Sequence, residues 1–212
     1  MNSILLYNAI GIFKDQAAID AYPHWGGARP GDLIFEDYNK DNEINALDMV
    51  RSYKSNIPTL TGGLNIDLEY KNFYTKILIQ GAAGAQVEHV TSSGGRGNFL
   101  FSDTEGRWTP DNINANKPRV WNGSDEYWTF TAHNNTYFMR NNNYARLKNL
   151  EVGYNMPKKI IEMLKIDGLR IYMNSINMGT LTKMKDFDPE AANGTGIYPP
   201  LKIYNLGISL TF

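Results

Sequence analysis

The segment from Tyr204 to Phe212 alternates without a break. Tyr204, Leu206, Ile208, Leu210 and Phe212 fall on one side of an extended chain, and Asn205, Gly207, Ser209 and Thr211 on the other. Leu64, Ile66, Leu68 and Tyr70 alternate in the same way with Asn65, Asp67 and Glu69. Lys71-Asn72 then reads as a tight turn, although it is not a preferred turn dipeptide. Phe73, Thr75, Ile77 and Ile79 alternate with Tyr74, Lys76, Leu78 and Gln80 beyond it, so 64–80 is expected to form a β-hairpin. Tyr137 to Tyr154 reads as a long strand, polar at Arg140 to Asn143 and apolar at Leu150, Val152 and Tyr154. Leu169 to Met178 is a further strand, and residues 3–12 are a strand remnant. Between the last two long strands, Pro157 to Lys165 suits a short helical turn with proline at its start.

The connections fall into two lengths. Those at 71–72 and 156–167 are short, and those at 14–60, 85–135 and 181–200 are long. One apolar strand face, one small polar face, short turns at one end and long loops at the other is the pattern of an outer-membrane barrel. An amphipathic strand of a soluble sandwich would alternate in the same way. A chain of roughly five full strands falls short of the approximately eight that a closed transmembrane barrel needs, and lipid does not tolerate open sheet edges. The expectation is therefore an all-β chain, a partial antiparallel transmembrane β-barrel with long extracellular loops. Residues 1–212 are read as one piece of a larger barrel whose true start lies upstream of Met1.

Composition narrows the function classes. With 21 basic and 22 acidic residues and a net charge of -1, there is no basic stripe for nucleic acid. The mean hydropathy of -0.42 does not discriminate for or against a membrane, because alternating faces cancel in an average. No cysteine is present, which excludes disulfides and thiolate metal sites. The apolar run Ile4 to Tyr7 has no basic residue before it, so it is not a secretory signal. No stretch is long enough for a membrane-spanning helix.

One loop has metal-ligand spacing. Asp37, Asn39 and Asp41 occupy positions 1, 3 and 5 of an EF-hand-like loop, Glu43 offers its carbonyl at 7, and Asp48 stands at 12. The expected ion is a structural Ca²⁺, with Asn42 replacing the usual glycine at position 6; the alternative is an Asx-rich surface turn that binds nothing. Trp108, Trp121, Tyr127 and Trp128 cluster in the longest loop. They offer flat apolar faces for a ligand or partner, or a small core for the loop itself. His24, His89 and His133 lack ligand spacing, and Gly94-Gly95-Arg96-Gly97 lacks the ending of a phosphate loop. The acidic neighbours Asp125-Glu126 and Asp186 with Asp188 read as loop polarity, and no nucleophile elbow exists. The reading is a protein that is not an enzyme.

Seven short stretches, in order, resemble the SusC/RagA family of TonB-linked outer-membrane receptors. They are Gly11-Ile12-Phe13 with Ile19-Asp20-Ala21-Tyr22-Pro23; Gly27-Ala28-Arg29-Pro30-Gly31-Asp32 with Asp37 to Asp41; Ile57-Pro58 with Gly63-Leu64-Asn65; Tyr144 to Tyr154; Asn177 with Thr180 to Lys183; Phe187-Asp188-Pro189-Glu190 with Tyr198-Pro199; and Leu210-Thr211-Phe212. Asn42, Asp48 and Met178-Gly179 depart from the family pattern. The resemblance implies the C-terminal strands of a roughly 22-stranded barrel in the outer membrane of a Gram-negative-type cell, with the plug and most strands absent. It further implies a TonB-dependent nutrient uptake receptor for oligosaccharide or peptide, energised by the TonB system through the missing plug and paired with a SusD-like surface lipoprotein. The competing class is a soluble, calcium-stabilised β-sandwich that binds carbohydrate, with its apolar strand faces turned into a closed interior.

Overall fold

In chain order the strands are β1 (Ile4–Tyr7), β2 (Ala9–Ile12), β3 (Leu33–Phe35), β4 (Met49–Ser52), β5 (Leu60–Tyr70), β6 (Phe73–Ala83), β7 (Gln86–Glu88), β8 (Met139–Asn141), β9 (Tyr144–Asn155), β10 (Gly168–Thr182) and β11 (Ile203–Thr211). Short helices are α1 (Gln16–Asp20), α2 (Phe101–Thr104) and α3 (Lys158–Leu164). This computed structural model describes residues 3–89, 99–125, 127, 134–184, 187–191 and 198–212. The chain divides into two units, Met1–Ser55 with Gln86–Arg140, and Asn56–Ala85 with Asn141–Phe212.

The second unit is built on one five-stranded antiparallel sheet in the order β11-β10-β9-β6-β5. Its register follows the alternation. Leu64 faces Ile79, Ile66 faces Ile77 and Tyr70 faces Phe73 across the hairpin; Ile77 faces Leu150 and Thr75 faces Val152 across the next pair. Ile171 lies between Tyr154 and Ile208, and Met173 between Val152 and Leu206. One face is therefore apolar from β5 to β11, interrupted by Thr75 and Ser175. A one-residue slip in any pair would exchange the two faces. The turn closes with Lys71 at φ 55, a left-handed conformation that costs a non-glycine residue about 1–2 kcal/mol. Leu60, Ala83, Tyr144 and Thr182 share one end of the sheet. All the long segments leave from that end, and the short connections close the other.

The opposite, polar face is knitted by tyrosines lying over glycines. Tyr74 covers Gly153 and donates a 2.8 Å hydrogen bond to Glu151, while Tyr172 covers Gly207. A Cβ at Gly153 would sit 2.2 Å from the Tyr74 ring, and one at Gly207 2.4 Å from the Tyr172 ring. Arg170 spans both rings at 5.9 and 5.0 Å. A register shift on β10 falls between Ile176 and Gly179, where Asn177 takes φ 54. Asparagine is one of the few residues that accept this conformation readily.

The first unit departs from the pattern expected of it. Residues 3–12 are not one barrel strand: β1 pairs with β4 and β2 with β3, in separate two-stranded sheets. The strand expected from Tyr137 begins only at Tyr144. Asn135 caps a 3-10 turn at Thr136–Phe138, accepting from the Tyr137 backbone N–H, and Asn141 accepts from Asn143 just before β9 starts. Short polar side chains that bond their own backbone compete with the ladder, and here they end it. The connections at 14–60 and 85–135 are not structureless either. They supply Leu33, Phe35, Ile44 and Tyr127, which join Phe138 in a buried core rimmed by Tyr7, Trp25, Trp121 and Tyr137.

The tyrosine–glycine contacts make a direct prediction. Gly153→Ala displaces the Tyr74 ring and is expected to lower stability by about 1–3 kcal/mol in a denaturant titration of the protein in detergent. Gly179→Ala, where an added Cβ meets nothing within 4 Å, should leave the midpoint near that of the parent.

Candidate functional site

The five-stranded sheet presents two chemically different surfaces to its surroundings. On the apolar face Leu206 is 78% exposed and Ile208 67%, and Leu64, Leu68, Val152, Met173 and Leu210 are also exposed. Burying one such side chain stabilises by about 1.5–3 kcal/mol, so a whole face of them left in water would oppose folding. Contiguous exposed apolar surface on this scale marks contact with a partner or a membrane. The strands run from 9 to 15 residues, long enough for the roughly 9–11 residues a tilted strand needs to cross a bilayer. The strand ending before Phe212 does not turn its apolar side into a closed interior, which removes the support for a sandwich.

Polar side chains on the other face gather one loop. Arg146, only 1% exposed, pairs through Nη2 with Asp188 and through Nη1 with Glu190 at 2.8 Å. Lys148 pairs with Glu190 at 2.9 Å, and the Tyr144 hydroxyl donates to the same carboxylate at 3.2 Å. Asn142 donates to the Pro189 carbonyl at 3.0 Å. Lys148 has no partner in either ladder of β9; the register shift at this point lets it join Arg146 at the loop. Residues 187–191 are thus strapped onto the start of β9. Buried charge of this kind is stable only while its counter-charges remain.

The first unit holds a second buried ion cluster. Arg119 lies 2.7 Å from Asp32 and 2.7 Å from Asp125, and Asp32 also accepts from the Arg29 backbone N–H at 2.8 Å. Burial works against the Arg119 charge, yet the bonds and attraction of Asp32, then Asp125, outweigh it and hold the guanidinium above its ordinary pKa. Tyr127 packs beside this cluster, 2% exposed, with its hydroxyl donating to the Leu33 carbonyl. Burial first, and the negative charge of Asp32 second, push its pKa up.

The residues singled out in the sequence divide accordingly. Tyr127 is a core residue with no surface to offer a ligand. Trp108 lies over Gly31 and donates from Nε1 to the Lys14 carbonyl at 3.1 Å. Trp121 packs edge-on against Phe99 at 5.1 Å and lines a narrow cleft with His89, Tyr137 and Arg140. Trp128, Glu126, His133, Asp186 and Gly94 to Gly97 lie outside the described residues. His24 is bonded to the Trp25 carbonyl at 2.7 Å. Asp125 and Asp188, read as loop polarity, are ion-pair partners instead. Arg119, Arg146 and Lys148 carry no spacing signal of their own, since their partners are distant in sequence.

In the acidic loop, Asn39, Asp41 and Glu43 are exposed, Asp37 is half-buried and Asp48 is buried. Asp37 accepts from the Lys40 and Asn42 backbone N–H groups at 2.7 and 2.9 Å, and Asn39 donates to Asp41 at 2.7 Å. Asp48 accepts from Tyr38 at 2.9 Å and from Asn45 at 2.8 Å, which closes the loop on its own backbone. Among the described residues, no three Asp, Glu, His or Cys side chains are grouped to hold a metal.

The Arg146 strap is testable. Arg146→Ala should release residues 187–191, seen as new protease cleavage there in the detergent-solubilised protein, with a stability loss of about 3–5 kcal/mol. An unchanged cleavage pattern in a folded variant would show that the ion pairs do not hold the loop.

No protein-family model matches the chain. It is 27% identical over 203 residues to TonB-dependent receptor P3 of Formosa agariphila, covering 88% of this chain and 20% of that receptor. It is 29% identical over 223 residues to TonB-dependent receptor P26 of the same organism, covering 96% and 22%. Among solved structures, it superposes on the RagAB peptide transporter with a TM-score of 0.75 at 25% identity, covering 100% of this chain and 22% of that one. The RagAB peptide importer in its open-open state gives 0.71 at 25% identity, covering 99% and 22%. The chain spans about a fifth of the length of the relatives it matches.

Proposed function

We propose that this chain, similar along nearly all its length to TonB-dependent receptors and in fold to RagA-type barrels, forms one arc of an outer-membrane transport barrel. The observation that carries the reading is the two-faced five-stranded sheet, with exposed apolar side chains on one surface and a bonded polar network on the other. The apolar surface faces hydrocarbon, the polar surface faces the lumen, and further strands pair with the outer edges of β5 and β11. The long connections, which all leave one end of the sheet, stand on the extracellular side. The outer membrane is the matching location, and the role is transport rather than catalysis.

The cargo in this reading is a nutrient oligomer, oligosaccharide or peptide. Similarity to a peptide transporter supports the peptide. Coupling to the TonB system and pairing with a SusD-like surface lipoprotein follow from the same resemblance. The tethered 187–191 segment, held to the polar face by Arg146 and Lys148, narrows the lumen beside the passing cargo.

Single cysteines placed in turn along β11 and labelled with a fluorophore test the membrane reading. In vesicles, labels at Tyr204, Leu206, Ile208 and Leu210 should be quenched by lipid-borne nitroxide. Labels at Asn205 and Ser209 should be quenched by an aqueous agent. Uniform aqueous access, in a protein that melts cooperatively in plain buffer, would overturn it.

A second proposal concerns the 37–48 loop, which we read as a structural Ca²⁺ site formed by Asp37, Asn39, Asp41, Glu43 and Asp48. Asn42 at φ 65 supports it, because the sixth position of such a loop turns through the left-handed region. Binding requires the Asn39–Asp41 hydrogen bond to open. Calorimetric titration of the parent should show heat that Asp37→Ala and Asp41→Ala remove; a parent that gives no heat eliminates the site.

A further inference from the structure

Helix α3 fills the connection between β9 and β10 at the short-turn end of the sheet, and no residue of it is buried. At about 100° per residue, Ile160, Met163 and Leu164 share one side, while Lys158, Lys159, Glu162 and Lys165 occupy the other. The apolar side is open: Met163 is 73% exposed, Leu164 49% and Ile160 37%. A seven-residue helix is too short to be stable in water by itself, and one that also bares three large apolar side chains needs a surface to lie on.

The surroundings indicate which surface. The chain enters the helix from Tyr154, which packs on Phe73 at 4.7 Å on the apolar face, and leaves it toward Leu169, whose neighbour across the ladder is Leu210. Tyr70, Phe73 and Phe212 are exposed at this same end. Aromatic residues bordering an apolar strand face, with lysines beside them, are the composition of a headgroup boundary. Lysine stems cover apolar surface while their ammonium groups reach the phosphates.

We infer that α3 is an interfacial helix. Ile160, Met163 and Leu164 enter the boundary between acyl chains and headgroups of the leaflet at the short-turn end, and Lys158, Lys159 and Lys165 bond phospholipid phosphates. This rests on the membrane reading of the sheet. Contact with lipid extends the apolar strand face past the last ladder rung and anchors the rim of the barrel at a fixed depth.

The chain has no cysteine, so Met163→Cys, Leu206→Cys and Asn205→Cys each give this segment a single labelling position. The labelled, membrane-inserted protein is measured in phosphatidylethanolamine–phosphatidylglycerol vesicles. These contain lipid carrying nitroxide close to the headgroup or deep in the acyl chain, and iodide is added to the water. The inference expects position 163 to lose most of its emission to the shallow nitroxide and little to iodide, with Leu206 quenched by the deep nitroxide. Strong iodide quenching at 163 would mean the helix faces water, and protection from both agents would mean another protein surface covers it. Either result, with Leu206 still quenched by lipid, overturns the helix assignment alone. Loss of lipid quenching at Leu206 overturns the membrane reading and this inference together.

Discussion

A strand that crosses hydrocarbon has no water to satisfy its N–H and C=O groups, so every one must find its partner in a neighbouring strand. The rest of this structure depends on that constraint. It requires long strands in continuous register, and β5, β6, β9, β10 and β11 pair in this way across one sheet. In the barrel we propose, it also means that the outer edges of β5 and β11, which end the sheet, belong against further strands. Register then decides which side chains meet the solvent on each surface. Leu64, Ile79, Leu147 and Gly179 share a face because the ladders place them there, even where the spacing along β9 and β10 is broken by a shift.

The two faces are stabilised by different physics. The apolar side has only cross-strand neighbours such as Phe73 and Tyr154 and leaves its outer surface to the surrounding medium. The polar side is held by close contacts: tyrosine rings over Gly153 and Gly207, a guanidinium spanning both rings, and the Tyr74–Glu151 hydrogen bond. In the barrel we propose, these contacts give the lumen wall a fixed shape that solvated side chains alone would not. The Arg146 strap adds a second level. It uses two positive charges on β9 to gather the two acids of one loop, and burial makes the pairing obligatory.

The first unit solves an ordinary folding problem by ordinary means. Segments far apart in sequence bring Leu33, Phe35, Ile44, Tyr127 and Phe138 together, and Arg119 is neutralised by Asp32 and Asp125. Long connections of this kind are seldom structureless in a compact protein, and of the aromatic residues that suggested ligand contact Tyr127 lies in the core that orders them and Trp121 packs against it. Tyr127 is the clearest case. Its aromatic character was legible, but its burial depends on residues about a hundred positions away.

Period-two alternation was sufficient, without any coordinates, for the hairpin at 64–80 and the strand at 204–212, and the leading proline was sufficient for the helical turn after Pro157. Those features are local: the side-chain period of a strand is read directly from neighbouring residues. What only the tertiary structure decided was how distant segments combine. The split of residues 3–12 into two strands of separate sheets, the pairing of Arg146 with Asp188 and Glu190, and the packing of Tyr127 with Leu33 and Phe35 all depend on contacts between residues far apart in the chain. Hydrogen bonds and ion pairs of that range leave no period in the sequence, because each needs only the right atom at the right point in space.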